Sequence, residues 1–218
     1  MTRPSPARVY ELLLGRYGPA GWWPGEGAFE VCVGAILAQN TAWLNVEKAL
    51  SVLRSRGLLS FGRLSKVPAS RLGPLLRSSG TYNVKARRLL AFLAFLRTEF
   101  GGQVEGMRAA GALDLRRKLL AVPGIGPETA DSIALYAAGH ALFVVDAYTR
   151  RIFERLGWLR GGESYEEVQR FLMRRLPGDA TLFNDYHAQL VRLAKEHCRA
   201  RPSCAGCPLD ARCAKRGV

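Results

Sequence analysis

The chain has 218 residues, and its hydrophobic share of 48% is typical of a globular protein rather than a disordered one. Thirty-two lysines and arginines against eighteen aspartates and glutamates leave a formal net charge of +14. Such an excess attracts polyanions, of which nucleic acid is the commonest. The first six residues lack the apolar core of a signal peptide, and no run of apolar residues is long enough to cross a membrane. We therefore expect a soluble, cytoplasmic protein with no membrane partner.

Apolar residues recur at helical spacing along almost the whole chain, with glycine and proline at the joins. In chain order the predicted helices are Val9–Tyr17, Phe29–Leu37, Val46–Arg54, Ala69–Ser78, Lys85–Phe100, Asp114–Ala121, Thr129–Ala138, Phe143–Leu156, Tyr165–Leu176 and Ala180–Cys198. The strand-like Val144-Val145 is isolated, with no alternating partner nearby. The sequence therefore predicts an all-α protein of short helices.

A glycine-rich turn joins two of these helices. Gly124 and Gly126 permit a tight turn and let another molecule's backbone come close. Pro127 suits the first position of the next helix, where no amide hydrogen is needed. The free amides at that helix start favour a phosphate group. An ordinary turn with glycines for packing is the alternative interpretation.

Four cysteines lie in the last 21 residues, with the spacing C-x5-C-x2-C-x5-C. They are Cys198, Cys204, Cys207 and Cys213. One C-x2-C unit between two single cysteines favours a [4Fe–4S] cluster, whereas structural zinc sites more often pair two such units. Zinc and disulfides are the alternatives, and disulfides are disfavoured in a reducing cytosol. Cys32, alone in an apolar run, is predicted to be a small core residue.

Three elements, in this order, carry a resemblance to a known family. Leu120–Ala130 resembles the helix-hairpin-helix motif of DNA repair glycosylases. Twenty residues past Gly126, Asp146 matches the position of that superfamily's catalytic aspartate. The cysteine tail resembles the [4Fe–4S] loop of endonuclease III and the adenine glycosylases. One departure is visible, because five residues separate the first two cysteines here and the family usually has six.

The resemblance implies two helical lobes. Residues 21–129 would form a helical barrel that ends in the hairpin, and residues 1–20 with 130–218 would form a helical domain with the iron–sulfur loop. The implied partner is double-stranded DNA containing a damaged base, bound by a monomer associated with the nucleoid. The expected DNA-binding residues are Pro123, Gly124, Ile125, Gly126, Lys85, Arg199 and Arg201.

The resemblance also assigns the chemistry. A carboxylate at Asp146 would stabilise the sugar cation that forms as the base leaves, or activate water, and aspartate is also a strong N-cap for a helix over Ala147–Leu156. Bifunctional endonuclease III enzymes carry a lysine where this chain has Glu128, which cannot form a Schiff base. Glu128 would instead complement the helix dipole or shape the pocket. We therefore expect hydrolysis of the N-glycosidic bond, with AP-lyase activity weak or absent.

Aromatic and amide side chains near the N-terminus suggest a base pocket. Trp22, Trp23 and Trp43 offer flat rings for a flipped, cationic base, and core packing is their alternative role. These residues, with Gln39-Asn40-Thr41, Ser79–Ala86 and Gly126–Asp131, resemble the 3-methyladenine DNA glycosylase branch of the superfamily. In the superfamily, a glutamine at the position of Gln39 enters the gap left by the flipped nucleotide, and Asn40 lies beside it. The bacterial type member of this branch lacks the four cysteines, so the chain combines features of two groups.

The leading interpretation is a monofunctional DNA glycosylase that releases an alkylated purine. One alternative is an endonuclease III-like glycosylase and AP lyase for oxidised pyrimidines that uses another amine. The other is a non-catalytic module that binds damaged DNA.

Overall fold

The computed structural model describes residues 3–21 and 26–218, which contain twelve α-helices and no strand. The helices are α1 (Pro6–Tyr17), α2 (Ala28–Leu37), α3 (Trp43–Ser55), α4 (Phe61–Leu64), α5 (Ala69–Leu75), α6 (Tyr82–Phe100), α7 (Gly106–Ala109), α8 (Ala112–Leu120), α9 (Pro127–Ser132), α10 (Ala147–Arg155), α11 (Tyr165–Met173) and α12 (Ala180–Glu196). A π-helical turn over Ile133–Ala137 continues α9. The predicted all-α class is confirmed over these residues. None of the helices described is long and apolar enough to cross a membrane.

Local sequence signals explain several helix starts. Ser5 accepts a hydrogen bond from the Arg8 amide at 3.2 Å, and Pro6 occupies the first position of α1. Ser164 and Glu167 form a capping box at α11, in which each side chain bonds the other residue's backbone amide. Asp179 caps α12 through the amides of Thr181 and Leu182. Each cap satisfies amide groups that the helix itself leaves without partners.

The chain divides into two compact units, of which one comprises Trp23–His140. Its central element is α2, where every residue from Glu30 to Leu37 is buried. A helix that is apolar on all sides needs neighbours on all sides, and α2 packs against α3, α6, α9 and the π-helical turn. Glu30 is the polar exception, and its carboxylate pairs with Arg54 at 2.6 Å. Cys32 is fully buried, which confirms its predicted place in the core.

The other unit joins Met1–Trp22 to Ala141–Val218. Its longest helix, α12, packs against α1 and α10. The rings of Phe183 and Tyr186 on α12 contact Phe143 edge-on, with centroids 5.3 and 5.7 Å away. The buried Tyr186 hydroxyl donates to the Pro6 carbonyl at 3.0 Å, which ties the N-terminal segment to α12. The domain bounds inferred from the resemblance remain a prediction.

One predicted helix, Phe143–Leu156, is wrong at its start. The segment Leu142–Val145 is non-helical and buried, and the helix begins only at Ala147. Two side chains bond this segment, since Gln169 donates to the Phe143 carbonyl at 2.8 Å and the Val145 amide donates to the Tyr165 hydroxyl at 3.2 Å. Its backbone groups therefore find partners without a helix. The single-turn helices α4 and α7 lie outside the predicted set, because four residues are too few to show a period.

Candidate active site and DNA-binding hairpin

The glycine-rich turn lies between α8 and α9, as the hairpin motif predicts. Gly124 has a φ of +84°, in the region that favours glycine, whereas Gly126 is extended with a φ of −92°. The Ile125 amide donates to the Val122 carbonyl at 3.1 Å, which closes the turn. Pro123, Gly124 and Gly126 are exposed, while Ile125 is only 5% exposed. The Ile125 side chain therefore anchors the turn and its amide closes it, and the DNA contact expected of Ile125 remains a prediction.

A buried ion pair joins the two helices of the hairpin. Arg116 on α8 places its Nε 2.8 Å from Oδ1 of Asp131, at the far end of α9. The Asp131 side chain is fully buried and that of Arg116 is 16% exposed. A buried carboxylate needs such a partner, because an unpaired charge in the interior is costly. Sequence reasoning missed this pair, whose members are fifteen residues apart.

Glu128 occupies the first turn of α9 and is exposed. A carboxylate there complements the positive end of the helix dipole, as expected. The Glu128 carbonyl also accepts from the Ser132 hydroxyl at 2.7 Å. An acid therefore occupies the position that the resemblance assigns to a Schiff-base lysine.

The predicted base-pocket residues have different surroundings. Gln39 bonds the hairpin, with its Nε2 2.9 Å from the Gly124 carbonyl oxygen. Asn40 is exposed with a φ of +52°, and Trp43 begins α3 and donates from its Nε1 to Glu47 at 2.6 Å. Trp22 and Trp23 lie outside the described residues. The base-binding roles of all five residues remain predictions.

Lys85 corrects a sequence-based expectation. Its side chain is fully buried in α6, and its ammonium donates to the carbonyl oxygens of Leu37, at 2.8 Å, and Ser79. Burial and the nearby Arg88 lower the pKa of Lys85 below its usual value. An ammonium with no exposed surface has no access to phosphate, so the expected DNA contact from Lys85 is wrong. It instead links the C-terminal end of α2 to the segment before α6.

Asp146 is the N-cap of α10. Its Oδ1 accepts from the Thr149 amide at 2.7 Å, while its Oδ2 lies 3.7 Å from Nε2 of His187 on α12. The Asp146 side chain is 16% exposed and that of His187 is 8% exposed. Burial pushes the pKa of Asp146 upward, but His187 and the Thr149 amide outweigh it and hold the pKa below the usual 3.8. Asp146 is therefore an anion at neutral pH, and one of its oxygens is not used in capping.

His187 was missed by sequence reasoning. One face of α12 is buried and mostly apolar, with Phe183 and Leu190 on it, and His187 lies on the same face. A histidine on that face is a recognisable signal, because buried polar side chains have partners. The sequence alone does not show which carboxylate is the partner.

The four C-terminal cysteines are free and half-buried, and Arg155 organises the loop that begins at Cys198. Arg155, the last residue of α10, donates to Sγ of Cys198 at 3.2 Å, to the Arg199 carbonyl at 2.6 Å and to the Ala200 carbonyl at 3.0 Å. Arg151, one turn earlier, donates to the Cys198 carbonyl at 2.8 Å. The helix that Asp146 caps thus also fixes the start of the cysteine segment.

The C-terminal cysteines influence one another electrostatically. Burial raises the pKa of Cys207 and of Cys213, and the neighbouring cysteines of the set raise both further. Within the described residues, no three His, Cys, Asp or Glu side chains are arranged to hold a metal ion. Four thiols suit an iron–sulfur cluster or zinc chemically. The predicted [4Fe–4S] cofactor is therefore supported by its donor set alone.

The two predicted cationic contacts in this segment are at the surface. Arg199 and Arg201 are both exposed. The Arg199 Nε donates to the Lys195 carbonyl at 2.8 Å, so part of its guanidinium is held against the end of α12. Their predicted phosphate contacts remain predictions.

In residues 3–21 and 26–218 every regular element is helical, and a glycine-rich hairpin is followed by an aspartate that caps a helix, an order typical of the helix-hairpin-helix class of proteins. Residues 33–178 match the HhH-GPD superfamily of base excision DNA repair proteins. The chain belongs to this superfamily, and it is a DNA glycosylase of base excision repair.

Individual relatives agree with this assignment. The chain is 41% identical over 207 residues to a protein of Methanocaldococcus jannaschii named "putative DNA repair glycosylase", and the match covers 94% of both chains. It is similar to the 3-methyladenine DNA glycosylase of H. pylori bound to 1,N6-ethenoadenine, with 27% identity, a TM-score of 0.78 and coverage of 88% of this chain and 98% of the other. A non-covalent endonuclease III–DNA complex has the same fold, with a TM-score of 0.84 at 24% identity over 99% and 96% of the two chains. The resemblance stated from the sequence is confirmed.

Proposed function

We propose that this protein is a monofunctional DNA glycosylase that hydrolyses the N-glycosidic bond of an alkylated purine flipped out of duplex DNA. The observation that carries the proposal is the ionised Asp146, whose Oδ2 is free of the capping bond that Oδ1 makes. A carboxylate held as an anion can face a developing sugar cation without first losing a proton.

The reaction asks little of a general acid. When the C1′–N bond breaks, its electron pair goes to the base, and an N-alkylated purine is already positive and leaves as a neutral molecule. The sugar becomes an oxocarbenium-like cation, which the Asp146 anion stabilises. Water then adds to C1′ and gives its proton to the carboxylate or to solvent, which leaves an abasic site.

The surroundings of the hairpin support hydrolysis over lyase chemistry. Glu128 stands where the resemblance places a lysine, and a carboxylate forms no Schiff base. Two lysines near the hairpin are engaged elsewhere. Lys85 bonds two buried carbonyl groups, and Lys118 on α8 pairs with Glu99 at 2.9 Å and Asp114 at 3.3 Å.

The proposed substrate class follows from likeness and from chemistry. The structural likeness to the H. pylori 3-methyladenine DNA glycosylase covers 88% of this chain at 27% identity. Tryptophan rings bind a cationic base better than a neutral one, because the ring faces are electron-rich. We propose that Trp22, Trp23 and Trp43 supply the rings that stack on the flipped base. Gln39 and Asn40 would fill the gap that the base leaves in the duplex.

The proposed DNA contacts combine backbone amides with surface cations. The exposed turn would contact phosphate through the backbone amides of Gly124 and Gly126, and the guanidinium groups of Arg199 and Arg201 would do the same. Pro123 has no amide hydrogen and would contribute only van der Waals contact with the DNA backbone. Contacts of this kind position the duplex without reading its sequence. Affinity would then fall steeply with added salt.

The four cysteines would hold a [4Fe–4S] cluster. When bound, the cluster would cross-link the C-terminal segment through its thiolate ligands. Arg155 and Arg151 position the backbone at the first cysteine through hydrogen bonds to its carbonyl group and that of the next residue. Iron content and visible absorbance of the purified protein test the metal directly.

Base release from a panel of duplexes tests the activity. Duplexes carrying 3-methyladenine, 7-methylguanine, uracil and thymine glycol are each incubated with the protein, with and without borohydride. We expect release of the alkylated purines and no covalent protein–DNA adduct. Release of thymine glycol with a trapped adduct would favour the oxidised-pyrimidine lyase instead. Binding without release from any duplex would favour a non-catalytic module.

A further inference from the structure

Both the nitrogen and the oxygen of the Gln39 side-chain amide make hydrogen bonds near the hairpin. Its nitrogen donates to the Gly124 carbonyl at 2.9 Å and to the Thr129 hydroxyl at 3.0 Å. Its oxygen accepts from Arg88 Nη1 at 2.6 Å. A primary amide has two N–H donors and one carbonyl oxygen, so each of these groups has a partner. The contacts span the turn, because Gly124 lies within it and Thr129 lies in α9.

Arg88 contacts the same glycine by a second route. A Cβ atom added at Gly124 would lie 2.4 Å from Cγ of Arg88 and 2.7 Å from its Nε. The aliphatic stem of Arg88 therefore packs directly on the α-carbon of Gly124, while its guanidinium reaches Gln39. Gly124 is thus held at its carbonyl by Gln39 and at its α-carbon by Arg88. These contacts join α6, the segment after α2 and the hairpin turn.

We infer that Gln39 and Arg88 form a hairpin clasp, a pair of positioning residues that hold the turn in its DNA-binding shape before any base leaves the stack. This role rests on the proposed contact between the hairpin turn and the DNA backbone. It gives Gln39 a task in the free protein that is separate from the expected insertion into DNA.

Gln39 cannot hold the hairpin turn and insert into DNA at the same time. Gln39 reaches a vacated base position only by giving up its bonds to Gly124, Thr129 and Arg88. A turn held in place before binding loses less conformational freedom when DNA arrives, so the clasp favours binding to any duplex. Insertion of Gln39 then releases the turn after the duplex is already bound. The clasp would be closed when the hairpin binds undamaged DNA, and open when a damaged base has been flipped out.

Hydrogen exchange and duplex binding test the clasp in the full chain. In Gln39→Ala without DNA, amides of Leu120–Ala130 should exchange faster than in the wild type. Affinity for an undamaged duplex should fall about fivefold, roughly the cost of ordering one residue of the turn when DNA binds. Arg88→Lys keeps the charge but removes the planar guanidinium, and it should have the same two effects. In the double variant, the loss of affinity should not exceed that of the larger single loss, because both residues act through one contact.

The matched control is Arg87→Ala. Arg87 is the exposed neighbour of Arg88 on α6, so its removal changes the charge without touching the clasp. Hairpin exchange should stay at the wild-type rate in this variant. A thermal unfolding measurement on every variant separates a local effect from a folding defect, and Arg88→Lys serves if Gln39→Ala does not fold.

Two outcomes would overturn the clasp. One is unchanged hairpin exchange in both Gln39→Ala and Arg88→Lys. The other is a Gln39→Ala variant that binds undamaged duplex like the wild type and loses affinity only for a duplex with an abasic-site analogue, as a pure insertion role requires. Failure of the wild type to bind any duplex would instead contradict the proposed function, and hairpin exchange in the free protein would still test the clasp.

Discussion

Asp146 and His187 come from different helices, and Oδ2 of the carboxylate lies 3.7 Å from Nε2 of the imidazole. The other carboxylate oxygen caps α10 through the Thr149 amide. One side chain therefore begins a helix and also keeps an anionic oxygen beside a buried histidine. The first two predictions separate these roles.

Asp146→Asn should remove base release and keep the fold. Asparagine caps a helix about as well as aspartate, so the free energy of unfolding should change by less than about 1 kcal/mol. The lost anion should slow base release by about a hundredfold or more. Single-turnover release from an alkylated duplex and urea unfolding measure the two effects. Asp179→Asn, the matched change at the cap of α12, should leave the rate unchanged. A wild-type rate in Asp146→Asn would refute the assigned role.

His187→Gln should shift the acid side of the pH profile upward. The folded pKa of Asp146 is depressed, so its ionisation stabilises the native state above the unfolded pKa near 3.8, and this stabilisation is lost as pH falls through the folded value. Without the imidazole, burial raises the pKa and the Thr149 amide alone opposes it. Stability and activity should then begin to fall at a higher pH than in the wild type.

Denaturant unfolding and base release across the acid range measure this shift. His140→Gln is the matched control, because His140 contacts the Met107 carbonyl rather than a carboxylate. Superimposable pH profiles for His187→Gln and the wild type would show that His187 does not tune Asp146.

Glu128→Lys should gain a reaction that the proposed monofunctional mechanism does not allow the wild type. An amine in the first turn of α9 would stand where the resemblance places the Schiff-base lysine, so borohydride should trap a covalent adduct on abasic DNA. Glu128→Gln removes the same charge without supplying an amine and should form no adduct. Trapping by the wild type itself would end the monofunctional interpretation.

Arg155→Met should loosen the C-terminal segment. The guanidinium is buried and bonds two loop carbonyls and the Cys198 sulfur, so its removal leaves these groups without a donor. We expect a loss of about 2–4 kcal/mol in the free energy of unfolding and a lower iron content. Arg170→Met, an exposed change on α11, is the control and should alter neither quantity. Wild-type stability and iron content in Arg155→Met would contradict the role of Arg155.

Lys85→Met should destabilise the protein without changing its salt response. Two carbonyl groups, those of Leu37 and Ser79, would lose their donor, which costs about 2–3 kcal/mol. The slope of DNA affinity against salt should equal that of the wild type, since a buried ammonium releases no counterion from DNA. Lys48→Met, at an exposed site on α3, is the stability control. A shallower slope for Lys85→Met would restore the expected phosphate contact.

Periodicity was enough to predict where most helices lie, because ten of them put apolar residues on one face. It misplaced the start of α10, where a run of apolar residues satisfies its backbone through Gln169 and Tyr165 instead of through helical bonds. It also gave no sign of the π-helical turn after α9. Such features depend on contacts that form only when distant segments meet.

The candidate site shows the same division. Gly124 and Asp146 could be found from motif and spacing, since the turn and the cap are local features. The partners of Gln39 and Asp146 could not, because 85 residues separate Gln39 from Gly124 and 41 separate Asp146 from His187. Lys85 was misassigned for a related reason. From sequence alone a lysine is predicted to be at the surface, and only the fold shows the two carbonyl groups that Lys85 bonds.

The interior positions of Lys85 and Arg155 alter how the protein's electrostatics should be counted. Two of the thirty-two cationic groups sit beneath the surface, facing carbonyl groups rather than the ionic atmosphere. A polyanion that binds the protein surface therefore contacts fewer cationic groups than the amino-acid composition contains. Ion-exchange retention depends on the cations that reach the resin and would follow that smaller number, whereas electrophoretic mobility depends on the net charge and also counts the buried groups.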